Sequence, residues 1–520
     1  MKRLCAAIFA ALLILASGFQ AHAQDVTLTS RDGSVEINGD LLSFDGEFYR
    51  VNTIYGDLTV DGSGVLCEGP GCPDLTNFVA EIRLSGPPVV GRVLIPALLE
   101  AFGRKEGYEL VIVDGDEARR VTYSLLDRDT GKPRGRLFFH LTNADEGFAD
   151  LLANETDIVM TLREVRKAEA LRAEEAGIGD LTDRRRSRVL ALDALVPLVT
   201  NDNPVQSITT ARLAKVLSGK IVNWQELGGP DAPIAVHLLA PGSGLGQATE
   251  DRMLIGEETS FSENATRHRD SRALVSAVTR DPFAIGVGSR SDAGLLREVA
   301  LTGACGFEML ATRRSVKTED YPLTAPIFLY SPARRFPRLI REFLAFLNTP
   351  SAQLVIRRAG FVDQLPEEIP VDSQGDRFAN AVLRAGDEVS LEDLQKMVSS
   401  LTPLKRLTTT FRFEAGSARL DAQSRSNVTQ LAQALERGLY DTRRLVFVGF
   451  SDGDGLANVN RRIAKRRAAA VQSAVTEAAE TANLERLKIE TLAFGEAMPM
   501  ACDDSEWGRQ ANRRVEVWVR

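Results

Sequence analysis

The stretch LVFVGFSDGDGLANVNRRIAKRRA, residues 445–468, decides the fold of the C-terminal part of this chain. Its apolar run Leu445–Val448 predicts a buried strand that delivers Asp452 into a glycine-rich loop. The residues after this loop predict a helix, on which Asn460 and Arg467 are seven positions apart and therefore share one face. A carboxylate at the strand end beside a guanidinium on the helix suits a zwitterionic ligand that carries an ammonium and a carboxylate.

Short motifs on both sides extend this pattern. They are the strand Thr410–Phe413, the turn Gly416–Asp421, the tripeptide Phe494–Glu496 before Pro499, and the terminal Asn512–Val515. Together they resemble the OmpA-like peptidoglycan-binding domain, over roughly residues 405–520. The resemblance implies an α+β domain in which Asp452 takes the ammonium and Arg467 the carboxylate of diaminopimelate in the stem peptide, with Asn460 at the matching family position. On spacing alone, a structural Asp–Arg pair that caps the helix is an equal interpretation.

The amino terminus has the pattern of a targeting segment. A basic start at Lys2 is followed by the apolar run Ala6–Ala16 and by the small-x-small sequence AHA at 21–23. We expect residues 1–23 to be a signal peptide cleaved before Gln24, and no later apolar run is long enough to span a bilayer. Export and cell-wall binding together predict a periplasmic, cell-wall-associated protein of a Gram-negative bacterium. Association with the outer membrane, without a spanning segment, is compatible with this prediction.

Composition and cysteine usage set further limits. The chain has 520 residues, 44% of them hydrophobic, which is enough for more than one packed domain. The formal net charge of −8 argues against nucleic acid as a partner. Turn-forming residues lie between Cys67 and Cys72, so export predicts a disulfide there. For Cys305 and Cys502, an interdomain bridge and two separate buried thiols are alternative interpretations.

Three further segments differ in their patterns. Residues 24–82 alternate short strands with Asp-Gly and Gly-Asp turns, which predicts a small β element closed by the cysteine loop. Residues 83–365 alternate apolar strands and helices, which is typical of an α/β fold. Its clearest predicted elements are a helix, Val90–Phe102, and two buried strands, Leu110–Val113 and Asp157–Met160. Residues 366–404 are charged, with helical patches, and are interpreted as a connector.

Several motifs of the α/β segment recur in one known family. They are Asn203–Val205, the run Ser218–Trp224, Gly228–Pro230, Gly242–Gly244 and Ala284–Gly286. They resemble the phosphate-binding proteins of ABC importers, so we expect a two-lobed periplasmic-binding-protein-like domain. The expected architecture is therefore this domain, preceded by the small β element and followed by the α+β OmpA-like domain.

The ligand of the middle domain does not follow from this resemblance. The candidate oxyanion-binding residues are Ser85, Gly242, Ser243 and Gly244. A buried oxyanion needs several charge-assisted donors at once. Where the family places an arginine, an acidic residue and a threonine, this chain has Leu239, Pro241 and Leu245. A further loop of the family usually reads Gly-Ser-Gly-x-Gly. Its counterpart here is residues 142–147, TNADEG, whose acidic pair would oppose a doubly charged anion.

No catalytic or metal-binding pattern is present in the sequence. His140, His237 and His268 have no metal-ligand spacing, and nucleophile-elbow, Walker and paired-cysteine zinc motifs are missing. We therefore predict a non-enzymatic protein, without cofactor or metal, that is anchored to peptidoglycan and presents a receptor-like or scaffold domain. The alternative is a substrate-binding receptor for phosphate or another oxyanion in ABC-type import, and a cell-wall hydrolase is a third hypothesis.

Overall fold

The computed structural model describes residues 25–75, 77–114, 119–253, 260–303, 308–385, 388–414, 417, 419–503 and 506–520. The predicted signal peptide 1–23 and Cys305 lie outside the described residues. The chain divides into two compact units, one of residues up to Ala80 with Arg335–Glu342, the other of Glu81–Arg334 with Phe343–Arg520. Within the described residues, no helix combines the length and the apolar character that a bilayer crossing requires.

The first unit is built on an antiparallel sheet. Its strands are β1 Val26–Ser30, β2 Glu36–Phe44, β3 Phe48–Thr53, β4 Gly56–Asp61 and β5 Val65–Glu68, in the order β4-β3-β2-β1-β5. Gly33 and Gly46 turn the chain with positive φ angles of 72° and 91°, which explains the Asp-Gly pattern of the sequence. Cys67 and Cys72 are joined by a disulfide. Both the small β element and this disulfide are thus confirmed.

The middle of the chain alternates strands and helices as predicted. Its strands are β6 Ala80–Gly86, β7 Tyr108–Asp114, β8 Arg120–Asp127, β9 Pro133–Leu141, β10 Ile158–Thr161, β11 Ser187–Val199, β12 Ser207–Thr209, β13 Ala235–Leu239, β14 Thr266–His268, β15 Ala284–Ser289, β16 Arg297–Glu298, β17 Ala300–Thr302 and β18 Thr324–Tyr330. Its helices are α1 Ile95–Glu106, α2 Ala144–Leu152, α3 Lys167–Glu175, α4 Thr210–Leu217, α5 Gly244–Met253, α6 Ser271–Arg280, α7 Arg313–Lys317, α8 Arg338–Phe346 and α9 Pro350–Arg358. A π-helical turn, Val90–Leu94, leads into α1.

One long strand connects two lobes of this region. The sheet has the order β14-β13-β15-β11-β18-β10-β6-β9-β8-β7. The first half of β11 pairs with β18, and its second half, from Leu195 to Leu198, pairs with β15. The strands β6 to β10 with β18 therefore form one lobe, and β13 to β15 form the other. Because all but the first two residues of β11 are buried, its sequence is an almost continuous apolar run.

Of the two strands predicted to be buried, the prediction is wrong for the first, Leu110–Val113. The strand β7 lies at the edge of the sheet, and Ile112 and Val113 are 56% and 54% exposed. The second, β10, is buried along its whole length. A short apolar run does not distinguish an edge strand from a central one, because both satisfy the same periodicity.

The C-terminal region forms a separate five-stranded sheet. Its strands are β19 Glu368–Ile369, β20 Lys405–Arg412, β21 Arg444–Phe450, β22 Lys488–Gly495 and β23 Arg514–Val519, in the order β19-β20-β23-β21-β22. Its helices are α10 Gly375–Arg384, α11 Leu391–Leu401, α12 Ala422–Glu436, α13 Ala457–Ala478 and α14 Glu506–Asn512.

Both faces of this sheet are buried, which corrects the connector interpretation of residues 366–404. Alternate residues of β21 belong to different cores: Leu445 and Phe447 pack with residues of α12 and α13. On the other face, Val446 and Val448 pack with α10 and α11, including Met397. The supposed connector therefore supplies two helices of the C-terminal core. Its exposed charges concealed the narrow apolar stripes that make these contacts.

Candidate functional site

A polar cleft lies at the end of β21. Asp452 follows this strand by two residues, and its Oδ2 accepts a hydrogen bond from Arg513 Nη1 at 2.8 Å. The two side chains are 14% and 12% exposed. Gly449 in β21 stands opposite Val515 in β23, so antiparallel pairing brings the end of one strand beside the start of the other. Arg513 had no assigned role in the sequence analysis, and only this pairing reveals it.

Arg467, on α13, is near enough to Asp452 and Arg513 for their charges to act on it. Its guanidinium carbon lies 5.2 Å from the centroid of the Phe413 ring, within cation–π range. Burial lowers the pKa of Arg467, the charge of Asp452 opposes this shift, and Arg513 adds to it. The structure thus brings Asp452 and Arg467 into one neighbourhood, with Arg513 as a third charged group.

Asn460 is buried and bonds to Glu496, which lines the neighbouring cavity. It is 3% exposed, and its Nδ2 donates to Glu496 Oε2 at 2.8 Å. Burial raises the pKa of Glu496, the bond from Asn460 opposes this shift, and nearby carboxylates, including Asp452, reinforce it. The observed contact of Asn460 is therefore with the protein itself, and its ligand-binding role remains a prediction.

The helix-capping interpretation of Asp452 does not describe the contacts at the start of α13. The residue at the N-cap is Leu456. The next N–H, that of Ala457, donates to Glu388 Oε2 at 2.7 Å. A carboxylate from the segment between α10 and α11 thus occupies the place that the capping interpretation gave to Asp452.

A cavity of about 350 Å³ adjoins the loop that carries Asp452. It is lined by Arg384, Glu388, Ser451, Gly453, Gly455, Glu496, Pro499, Asp503 and Asn512. Asp503 Oδ2 accepts from Gly453 N at 2.7 Å, and Asn512 Nδ2 donates to Asp503 Oδ1 at 2.9 Å. The glycine-rich loop is therefore held in place by the terminal Asn motif. A carboxylate, two guanidiniums and this acidic border together suit a ligand with both signs of charge.

In the middle region, the hydroxyl of Ser85 is directed at the protein itself. Ser85 is 2% exposed, and its Oγ donates to Asp150 Oδ2 at 2.6 Å. His140 Nδ1 lies 2.7 Å from the same oxygen. Of the candidate oxyanion donors, Ser85 is thus already in a hydrogen bond.

The Gly242–Gly244 loop is also occupied by its own contacts. Ser243 Oγ donates to Ala240 O at 2.8 Å and accepts from Gly246 N at 3.1 Å, which caps the start of α5. A Cβ built on Gly244 would lie 2.4 Å from Pro87 Cγ. Pro87 of one lobe therefore fills the space in front of Gly244 of the other.

Direct bonds hold the two lobes together. Gln247 Oε1 in α5 accepts a hydrogen bond at 2.9 Å from the N–H of Ala144, the first residue of α2. Arg166 Nη2 pairs with Asp251 Oδ1 at 3.0 Å. The N–H groups at a helix start are natural anion donors, and here a glutamine side chain takes one of them.

The acidic pair at 145–146 is matched by arginines. Asp145 Oδ1 lies 2.6 Å from Arg163 Nη2 and 2.9 Å from Arg166 Nη1. Glu146 Oε2 lies 3.3 Å from Arg119 Nη1. The expected repulsion of an anion by this pair is therefore partly neutralised within the protein.

A larger cavity, of about 950 Å³, opens between the lobes beside Gly244. Its apolar lining comes from Pro87–Val89, Val93, Leu239 and Leu245. Arg92, Arg269 and Arg272 also line it. These arginines were missed in the sequence, because nothing in their spacing sets them apart from other surface arginines. Across the described ranges, no cluster of three His, Cys, Asp or Glu side chains could hold a metal ion.

Comparisons with known proteins agree with these two parts of the chain. Residues 412–513 match the family model of the OmpA family, and residues 137–350 match that of a PBP superfamily domain. The chain therefore joins a domain of the PBP superfamily to a domain of the OmpA family. The expected fold class is confirmed.

Similar proteins cover mainly the middle domain. Protein SphX of Synechococcus elongatus is 29% identical over 269 residues, which are 48% of this chain and 77% of that protein. The phosphate-binding protein PstS of Borreliella burgdorferi is 22% identical over 182 residues, 34% of this chain and 65% of that protein. Among solved structures, an ABC-type phosphate transport receptor from Vibrio cholerae has 21% identity and a TM-score of 0.42, covering 54% of this chain and 99% of that one.

Proposed function

We propose that this protein is a non-enzymatic protein of the Gram-negative periplasm that binds peptidoglycan through its C-terminal domain and presents its middle domain at the cell wall. The observation that carries the proposal is the convergence of Asp452 and Arg467 at one end of the C-terminal sheet, with Arg513 beside them. The match of this region to the OmpA family supports it.

The ligand in this proposal is the diaminopimelate of the stem peptide, whose head group carries both an ammonium and a carboxylate. Asp452 receives the ammonium and Arg467 the carboxylate. A carboxylate group offers about four lone-pair positions, so Asp452 can keep the bond from Arg513 and still accept from a ligand. Arg513 thereby orients the acceptor before the ligand arrives.

The experiment that tests this proposal is sedimentation of the purified protein with peptidoglycan sacculi. Asp452→Ala and Arg467→Ala should each abolish sedimentation while the circular dichroism spectrum stays native. Arg461→Ala is the matched control: this arginine lies on the same helix, is 47% exposed, and pairs with Asp393 at 2.9 Å. If both cleft variants sediment as well as the parent protein, the assignment of these residues is wrong.

A second candidate function, a receptor for phosphate or another small anion, is favoured by the similarity of the middle domain to SphX and PstS. The contacts of the cleft oppose tight oxyanion binding, since Ser85, Ser243 and the N–H of Ala144 are engaged by the protein itself. Calorimetric titration of the mature chain with phosphate and with sulfate tests whether the middle domain is an anion receptor. A sub-micromolar Kd, about −8 kcal/mol or stronger, would favour the receptor.

A further inference from the structure

A cavity of about 420 Å³ lies where the middle domain meets the C-terminal domain. Within the second compact unit, the middle domain contributes residues that include Glu164, Arg252 and Glu319. The C-terminal domain contributes Arg412, Asp421 and Gln423, among others. This cavity is distinct from the apolar cavity beside Gly244 and from the cleft around Asp452.

Four carboxyl groups line this cavity, those of Glu164, Asp251, Glu319 and Asp421. Asp251 is paired with Arg166 at 3.0 Å. Glu164 Oε1 accepts from Ala422 N at 3.0 Å, and this bond joins the two domains. Asp421 Oδ1 accepts from Ser424 N at 2.8 Å and caps α12. Glu319 Oε2 lies 3.7 Å from Arg412 Nε. Its other oxygen, Oε1, is buried and has no hydrogen-bond partner within the described part of the chain.

A buried amide provides an independent observation. Gln423 is 3% exposed, and its Nε2 donates to Asn427 Oδ1 at 3.1 Å. Its Oε1 has no donor among the residues that the structure describes. Buried polar atoms almost always find a partner in native proteins, so Gln423 Oε1 and Glu319 Oε1 both indicate that something with donor groups fills the space beside them.

Four arginines also line the cavity: Arg163, Arg166, Arg252 and Arg412. Arg163 and Arg166 both form ion pairs with Asp145. Arg252 Nη2 donates to Leu162 O at 2.9 Å, whereas its Nε is buried without an acceptor among the described residues. Arg412 is more fully used, since its Nη2 donates to Glu319 O at 2.6 Å and its Nη1 to Gln510 O at 3.3 Å. Arg252 is therefore the candidate partner for an anionic group of the occupant.

The titration of the carboxyl groups is consistent with a cationic occupant. Burial raises the pKa of Glu319 to about 8, with Asp421 adding to the shift and Arg412 opposing it. Burial likewise raises the pKa of Glu164 to about 7, again with a contribution from Asp421. An ammonium group placed among these carboxyl groups would relieve their mutual repulsion.

We propose that this interdomain cavity binds a small zwitterion of the α-amino acid class, with its ammonium beside Glu319, Asp421 and Gln423 and its carboxylate beside Arg252. A free phosphate would face four carboxyl groups, and a metal ion would lack a suitable cluster of ligands among the described residues. Because residues of both domains line the cavity, such a ligand would also strengthen their docking.

The test is calorimetry and thermal denaturation of the mature chain with a panel of free amino acids, each compared with its N-acetyl derivative. At least one free amino acid should bind, and its N-acetyl derivative, which lacks the ammonium, should bind about tenfold more weakly or worse. Binding should be tighter at pH 8.5 than at pH 6, because Glu319 and Glu164 ionise between these values.

Two variants locate the site. Gln423→Leu and Glu319→Gln should each weaken binding about tenfold or more. Thr429→Val, a polar-to-apolar change on the same helix, and Asp452→Ala, in the other cleft, should leave it unchanged. If Glu319→Gln fails to fold, Gln423→Leu still decides the question.

Three results would overturn the proposal. The first is no heat and no thermal shift from any amino acid at about 10 mM, which would leave water as the occupant. The second is equal binding of the N-acetyl derivatives, which would exclude recognition of the ammonium. The third is binding that survives Gln423→Leu and Glu319→Gln but is lost with Asp452→Ala, which would assign it to the C-terminal cleft.

Discussion

The C-terminal cleft and the middle-domain cleft differ in how far their polar groups are already bonded within the protein. In the C-terminal cleft, Asp452, Arg467 and Arg513 gather at the end of one sheet, and the charges of both signs stay partly exposed. In the middle-domain cleft, the protein satisfies its own donors, because Gln247 takes the N–H of Ala144. The C-terminal cleft therefore keeps charges of both signs partly accessible, whereas the candidate hydroxyl and backbone donors of the middle-domain cleft are engaged by the protein itself.

The largest expected effect concerns the C-terminal cleft. Removing one partner of a desolvated charge pair costs about 2–5 kcal/mol, so Asp452→Ala and Arg467→Ala should each reduce sacculus affinity by well over tenfold. The double variant should be little worse than either single one, because the two residues act on one ligand. Sedimentation isotherms of the four proteins measure this coupling. Fully additive losses would mean that the residues bind separate groups.

The next effect concerns the contact between the lobes. Gly244→Ala introduces a methyl group 2.4 Å from Pro87 Cγ, and overpacking of this kind costs about 1–3 kcal/mol. Gly242→Ala is the matched control, since a Cβ there meets nothing within 4 Å. Urea denaturation of both variants measures the difference. Equal stability would show that the lobes separate easily and that the cleft is more open than its contacts indicate.

A smaller effect concerns pH and the interdomain carboxyl groups. Glu319 binds a proton more tightly in the folded protein than in the unfolded chain, because burial raises its pKa from the ordinary 4.5 to about 8. Folding therefore retains a proton that unfolding releases, so stability should fall as pH rises from about 5 to about 8. The groups that set this pKa are Asp421, Arg412, Asp320 and Glu164.

Thermal denaturation between pH 6 and pH 9 checks this dependence. The midpoint should fall by a few degrees, on the scale of about 2–4 °C per kcal/mol for domains of this size. Glu319→Gln should flatten the curve, because an amide does not titrate. A midpoint that rises with pH in the parent protein would contradict the prediction.

The smallest expected effect is a failure to restore binding. Phosphate should bind the mature chain with a Kd no tighter than about 10 µM, and Leu239→Arg should improve it less than about tenfold. One added guanidinium leaves Pro241 and Leu245 in place and leaves Gln247 on the N–H of Ala144. Calorimetry with phosphate measures both values. Sub-micromolar binding by Leu239→Arg would show that the arginine alone had been missing.

Much of the fold follows from local sequence. The Asp-Gly turns predicted the hairpins of the first unit, the cysteine spacing predicted the Cys67–Cys72 disulfide, and the stretch 445–468 predicted a strand, a loop and a helix in their observed order. These features are local, because turn glycines, short loops and apolar periodicity act over a few residues. The same locality failed at β7, where exposure depends on which strands lie beside it.

The sequence by itself determined which kinds of domain this chain contains and which strand end and helix face carry Asp452 and Arg467. Only the tertiary structure decided that Arg513 pairs with Asp452, that α10 and α11 complete the C-terminal core, and that Gln247 occupies the cleft of the middle domain. The physical reason is distance along the chain. The bond between Asp452 and Arg513 depends on strand register, and that between Ala144 and Gln247 on the closure of the lobes. The bond between Arg377 and Glu516 depends on helix packing. The partners in these bonds are from 61 to 139 positions apart in the sequence. No local pattern of residues predicts these long-range contacts.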